Sequence, residues 1–297
     1  MSEIAFSKYQ AAGNDFVLVD DPEDRRRPLA EAVRRLCDRR FGVGADGFIR
    51  VGRRDGTFAM DLTNADGSPA EMSGNGMRCL AAFVCDRGLQ TEDRFRVVTA
   101  AGSKEVSVER ENGHVAGATV AMGTPGFTKA AIPMRGPAWE TFLMQPFEIG
   151  EGLTVTASAV SMGNPHLVLF VEEDPARYHV AHIGAALERH DLFPERTNVE
   201  FARITPSGIE VRVWERGVGE TLACGTGACA VAVAANEAGL APASVDVTFP
   251  GGVLQVERRE DGEVLLGGPV AHVFDGTVEM DLQTLDRSGR SQEDSPR

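Results

Sequence analysis

An α+β fold, mainly antiparallel in its sheets and duplicated in two halves, is what the sequence predicts, and three observations predict it. Period-two alternation recurs along the chain, as at Phe58, Met60 and Leu62 and again at Ile209, Val211 and Val213. Helical periodicity is confined to a few short stretches. One layout then occurs twice: a strand, a turn, a small nucleophilic residue, a G-x-G and an apolar helix.

Taken in order, Phe16–Asp20 reads as a strand, and Leu29, Val33, Leu36 and Cys37 mark one face of a helix. The Phe58–Leu62 strand runs into Asn64-Ala65-Asp66-Gly67, and Ser73-Gly74-Asn75-Gly76 opens a helix with Met77, Leu80, Ala81 and Val84 on one face. Strands follow at Phe95–Thr99, Val106–Glu109 and His166–Val171. The Ile209–Val213 strand runs into Glu215-Arg216-Gly217, and Cys224-Gly225-Thr226-Gly227 opens a second helix. That helix, Thr226 to Ala238, is apolar all round, which implies burial, and Gly239 suits the position after its C-cap. Strands at Val245–Thr248, Val253–Glu257 and His272–Asp281 complete the pattern. The boundary is placed near Gly123-Thr124-Pro125, giving residues 1–123 with 271–285 as one half and 124–270 as the other. The polar tail, 286–297, lacks periodicity and reads as disordered.

Composition narrows the function. Hydrophobic content of 42% and charged content of 25% are those of a globular chain. A net charge of −14 disfavours nucleic acid and anionic membranes as partners, since both need a basic face. The longest weakly polar run, Leu222 to Ala235, is too short to span a bilayer, and the N-terminus lacks the pattern of a signal peptide. A cytoplasmic location is expected. The lysines are Lys8, Lys104 and Lys129, and none lies in a phosphate-loop motif. The cysteines Cys37, Cys79, Cys85, Cys224 and Cys229 form no C-x-x-C pair, so neither a disulfide framework nor a zinc site is expected.

The two glycine turns carry the chemistry. A helix start offers unpaired N–H groups and partial positive charge, and adjacent glycines let an anion approach. A carboxylate or phosphate suits such a place. A cysteine there is expected to be acidified, which makes Cys224 a candidate thiolate, whereas Cys229 lies inside the helix and should be inert. Two such turns facing one cleft suit inversion of a carbon: one group removes a proton and another returns one to the opposite face. The helix termini would hold the α-carboxylate as charge develops on it.

These residues resemble the diaminopimelate epimerase family. The resemblance runs from Ile4 to about Asp281. It rests on Gly13-Asn14-Asp15-Phe16, Gly42-Val43-Gly44-Ala45-Asp46-Gly47, Asn64-Ala65-Asp66-Gly67-Ser68 and Ser73-Gly74-Asn75-Gly76 in the first half. In the second half it rests on Met162-Gly163-Asn164-Pro165-His166, Glu195-Arg196-Thr197-Asn198, Val213-Trp214-Glu215-Arg216-Gly217 and Ala223-Cys224-Gly225-Thr226-Gly227-Ala228. It implies two pseudo-symmetric mixed-sheet domains, each wrapped around a central buried helix, with the active site in the cleft between them. It further implies a homodimer, no cofactor, no metal, and a place in lysine and cell-wall precursor synthesis.

Carried over by position, the resemblance puts Cys224 on one of two catalytic cysteines. It puts Asn14, Asn64, Gly74, Asn75, Asn164, Asn198, Glu215, Arg216, Gly225 and Thr226 on substrate-binding positions. His166 and Glu215 fall where the thiols are tuned. A second amino-acid end on the substrate suits these types, with a guanidinium fork for its carboxylate and oxygen acceptors for its ammonium. Each asparagine has an alternative reading as a turn residue capping local backbone.

One position departs from the family. Ser73 stands where the other catalytic cysteine is expected. Cys79 is no substitute, since six residues at ~1.5 Å each carry it roughly 9 Å along the helix. Three readings stay open at this point: a natural variant that still epimerises, a substitution introduced to trap a complex, or a drift towards one-base chemistry. The last would make the chain a lyase or an epimerase of another amino acid. A silent amino-acid-binding protein is the remaining class, and the intact Cys224 argues against it.

Overall fold

The computed structural model describes residues 2–23, 26–150, 152–280 and 282–284, and the expected disordered tail lies outside these. Two units divide the chain, Met1–Val120 with Pro269–Arg297 and Ala121–Gly268. In chain order the elements begin β1 (Ser2–Ala11), β2 (Asn14–Asp20), β3 (Arg26–Pro28), α1 (Ala30–Cys37), β4 (Gly47–Arg54), β5 (Thr57–Asn64) and β6 (Pro69–Ala70). Next come α2 (Gly74–Asp86), β7 (Arg94–Thr99), β8 (Gly102–Glu111), β9 (His114–Gly123), β10 (Gln145–Glu148), β11 (Thr154–Ser161) and β12 (Pro165–Phe170). They continue with α3 (Val180–Leu187), β13 (Asn198–Thr205), β14 (Gly208–Glu215), β15 (Gly219–Thr221), α4 (Gly225–Glu237), β16 (Ser244–Phe249), β17 (Gly252–Arg258) and β18 (Val264–Pro269). β19 (Ala271–Met280) and β20 (Leu282–Thr284) end the described chain.

The expected α+β fold with mixed sheets is present in both units. In the first, β1, β2, β4, β5, β7, β8 and β9 pair in that order, antiparallel except at β2–β4 and β5–β7. In the second, β11 to β14 and β16 to β18 pair in the same order, parallel only at β12–β13 and β14–β16. The last long strand returns to the first unit, with β19 antiparallel to β1.

Each unit folds around one buried helix. α2 packs on β1, β2 and β8, and α4 on β11, β12, β13 and β17. From Gly74 to Cys85 every residue of α2 is buried, and α4 is buried at nearly every position to Ala235. Each fully buried Leu or Phe, such as Leu80 and Phe83, contributes about 1.5–3 kcal/mol. Both helices have 13 residues, with Ser73 and Cys224 at their N-caps. Gly239 takes a φ of +70°, as its place after α4 requires.

The strand registers make the two units comparable residue by residue. Phe16 pairs with Gly47, and His166 with Asn198. Ile49 pairs with Leu62, and Glu200 with Val213. Gly47 pairs with Asn64, and because Val199 pairs with Trp214, Asn198 is level with Glu215. Phe16, Gly47, Ile49, Asn64 and Ser73 of the first unit thus correspond to His166, Asn198, Glu200, Glu215 and Cys224 of the second.

One helix escapes the sequence pattern. α3 has eight residues with Gly184 inside it, and a Cβ at Gly184 would lie 2.5 Å from the Trp214 Cβ. A glycine that weakens the helix in isolation is required by the strand it packs on.

Candidate active site

The Cys224 half-site is built on the ends of β12, β13 and β14 and the start of α4. Cys224 is 5% exposed, and its Sγ lies 3.5 Å from the Thr226 Oγ1. The nearby Glu215 carboxylate accepts from the Thr221 hydroxyl, and its charge bears on the thiol. Burial raises the Glu215 carboxyl above the usual carboxylate range.

The thiol is not acidified, which corrects the expectation from sequence. Burial, then the charges of Glu215 and Glu200, push Cys224 well above the ordinary thiol value. The Thr226 hydroxyl and Gly227 amide act the other way and lose. The helix terminus supplies its field, but β13 and β14 bring two carboxylates into it. Cys224 is therefore a thiol in the resting site and a strong base once ionised.

Glu200 is the residue that sequence reasoning missed. It is fully buried, and its Oε1 lies 2.7 Å from the Nδ1 of His166, also fully buried. His166 Nε2 meets the Asn164 Oδ1 at 3.0 Å. Asn198 donates from Nδ2 to the Pro165 carbonyl and accepts from the Arg216 backbone N–H, at 2.9 Å each. It fixes the chain beside Glu215. The Arg216 side chain is exposed and donates from Nη1 to the Glu195 carbonyl at 3.0 Å. Arg196, in the same motif, takes a φ of +62°.

The Ser73 half-site is built differently. Ser73 Oγ accepts from the Gly76 amide at 3.1 Å, a true N-cap, whereas Cys224 makes no capping bond. Asn14 donates to Asp46 at 2.7 Å and accepts from the buried Asn75 at 3.2 Å. Asn64 donates to the Ser68 Oγ at 3.1 Å. Gly74 is buried at the start of α2 as Gly225 is in α4. Each predicted asparagine thus has a partner within its own unit, and Asn14, Asn75, Asn164 and Asn198 are tied at both ends.

The remaining cysteines are buried. Burial raises Cys37 and Cys79 to about 12 and Cys85 to about 11, and Cys229 is fully buried in α4. Among the described residues, no group of three or more His, Cys, Asp or Glu could hold a metal, and no helix is long and apolar enough to cross a membrane.

Known proteins resemble the chain. The family model described as diaminopimelate epimerase matches residues 6–128 and 158–273. A diaminopimelate epimerase of Synechococcus elongatus is 43% identical over 283 residues, covering 93% of this chain and 99% of that protein. One from Leptospira biflexa is 41% identical over 281 residues, covering 94% and 100%. Among solved structures, a hydroxyproline epimerase of Agrobacterium vitis, with trans-4-hydroxy-L-proline bound, has a TM-score of 0.70 at 14% identity. It covers 97% of this chain and 94% of that one, and at this identity it speaks for the fold. With both halves matched and relatives above 40% identity along nearly the whole length, the chain belongs to the diaminopimelate epimerase family.

Proposed function

We propose that the chain interconverts LL- and meso-2,6-diaminopimelate by moving a proton at the α-carbon, without a cofactor. The observation that carries this reading is Cys224 at the N-cap of a buried helix, in the field of Glu215, whose chain neighbour Arg216 has its backbone fixed by Asn198. A base and a guanidinium then sit at one strand end, as a substrate with two amino-acid ends requires.

The reaction needs one acid–base group on each face of the α-carbon, and this reading assigns Cys224 and Ser73. In this reading the amides of Gly225 and Thr226 at the start of α4 bind substrate, as do those of Gly74 and Asn75 at the start of α2. Cys224 loses its proton to Glu215, and the thiolate takes the α-proton. The C–H electron pair stays on the substrate, spread into the carboxylate. Ser73 gives its O–H proton to the opposite face and regains one from solvent, to which Glu215 returns the proton it took from the thiol. A serine alkoxide is far more basic than a thiolate, so the Ser73 step is slow. A homodimer in the cytoplasm belongs to the same reading.

Incubating the purified chain with LL-diaminopimelate and following the meso isomer by chiral chromatography tests it. Appearance of the meso isomer is expected, and its absence at high enzyme concentration contradicts the assignment. Arg216→Lys should raise KM by roughly tenfold with kcat little changed. A point charge cannot reproduce the fork, yet the distal end is bound alike in ground and transition states. An unchanged KM removes Arg216 from the substrate site.

A further inference from the structure

We propose that Glu200 is a positioning residue for the chemistry of Cys224, acting through a buried pair with His166 that shares one proton. The proposal rests on the assignment of Cys224 as the base. A continuous chain of polar contacts carries it. Glu200 Oε1 meets His166 Nδ1 at 2.7 Å, and His166 Nε2 meets the Asn164 Oδ1 at 3.0 Å. Asn164 Nδ2 donates to the Thr226 Oγ1 at 3.3 Å, and that hydroxyl lies 3.5 Å from the Cys224 Sγ. Nε2 faces an amide oxygen and so carries a hydrogen. The 2.7 Å contact then holds one further proton, on either partner.

The carboxylate also lies close to the thiol, on the other side of Gly227. A Cβ at Gly227 would lie 2.9 Å from Glu200 Oε1 and 3.4 Å from Cys224 Sγ. Glycine at 227 lets Glu200 come under the helix start. Glu200 Oε2 is buried with no hydrogen-bond partner among the described residues. The groups facing the thiol are Glu215 from β14 and Glu200 from β13, with His166 of β12 behind Glu200, and the first turn of α4 adds no acidic side chain.

The first unit shows the contrast. In place of His166 and Glu200 it has Phe16 and Ile49, and a Cβ at Gly76 would meet the Ile49 Cδ1 at 3.1 Å. The two half-sites are electrostatically unlike. Glu200 turns the negative end of its pair towards the start of α4, offsets part of the helix field, and keeps Cys224 a thiol in the resting enzyme and a stronger base in turnover.

The test is the rate of Cys224 modification by iodoacetamide against pH, read by mass spectrometry at that residue. The wild-type rate should still be rising above pH 9. Glu200→Gln, which keeps shape and removes charge, should lower the midpoint by roughly one unit and speed modification at pH 7 by about tenfold. Diaminopimelate turnover should lose kcat while KM holds. Glu200→Ile, copying the residue that the first unit packs at this place, should shift the midpoint the same way. Midpoints unchanged or raised in both variants overturn the proposal. Modification needs no substrate, so a chain that failed to epimerise diaminopimelate would still report on Glu200.

Discussion

Cys224→Ala lowers α-proton exchange from diaminopimelate by roughly 10³-fold or more, from whichever isomer presents its proton to this side. The thiol is the one strong base that the two helix starts carry, since Ser73 is a hydroxyl. Glu215 remains, but Thr221 holds its carboxylate, and in the proposed reaction it takes the thiol's proton. The variant should fold. Cys224 makes no capping bond to lose, and its side chain is small, so the cost in stability is about 1 kcal/mol. Cys224→Ser, which copies the other half-site, should lose exchange almost as fully. In the wild type, iodoacetamide should label Cys224 as activity falls, and substrate should protect it. Loss of activity with the label on Cys37 or Cys85 contradicts the assignment.

Ser73→Cys raises net epimerisation on the order of 10²-fold, because it supplies the second thiol at a ready-made helix start. The change removes the cap to Gly76 and costs about 1 kcal/mol. The second unit shows that such a helix tolerates it, since α4 runs the same 13 residues from an N-cap that makes no side-chain bond. By strand register, Ile49 and Asn64 of the first unit correspond to Glu200 and Glu215 of the second, so the helix field at the new thiol meets less opposition. Equal exchange rates before and after the change would take Ser73 off the reaction path.

The sequence made the frame legible where signals are local. The G-x-G turns, the apolar runs behind them and the alternation of β5 and β14 each follow from neighbours a few residues apart, and α2, α4 and those strands form where expected. What escaped depends on distant partners. Glu200 sits between Val199 and Phe201, where alternation would send it to solvent. β13 is buried on both faces at this end, because it lies inside the sheet with β12 and β14 as neighbours and α3 and α4 against it. The acid constant of Cys224 was misread for the same reason. The helix terminus is visible in the motif, and the carboxylates that oppose it arrive from two other strands. Asn198 read as a ligand from its motif, and its two bonds add a part that the motif does not announce, shaping the backbone at Arg216.

The central claim is that the two faces of the α-carbon meet unequal bases, a thiol at 224 and a hydroxyl at 73. Proton NMR in deuterium oxide tests it most directly, following loss of the α-hydrogen signal from LL- and meso-diaminopimelate in separate samples of the wild-type chain. The account predicts rapid exchange from one isomer and little from the other, with Ser73→Cys bringing the two rates together. Equal rates from both isomers in the wild type would contradict it.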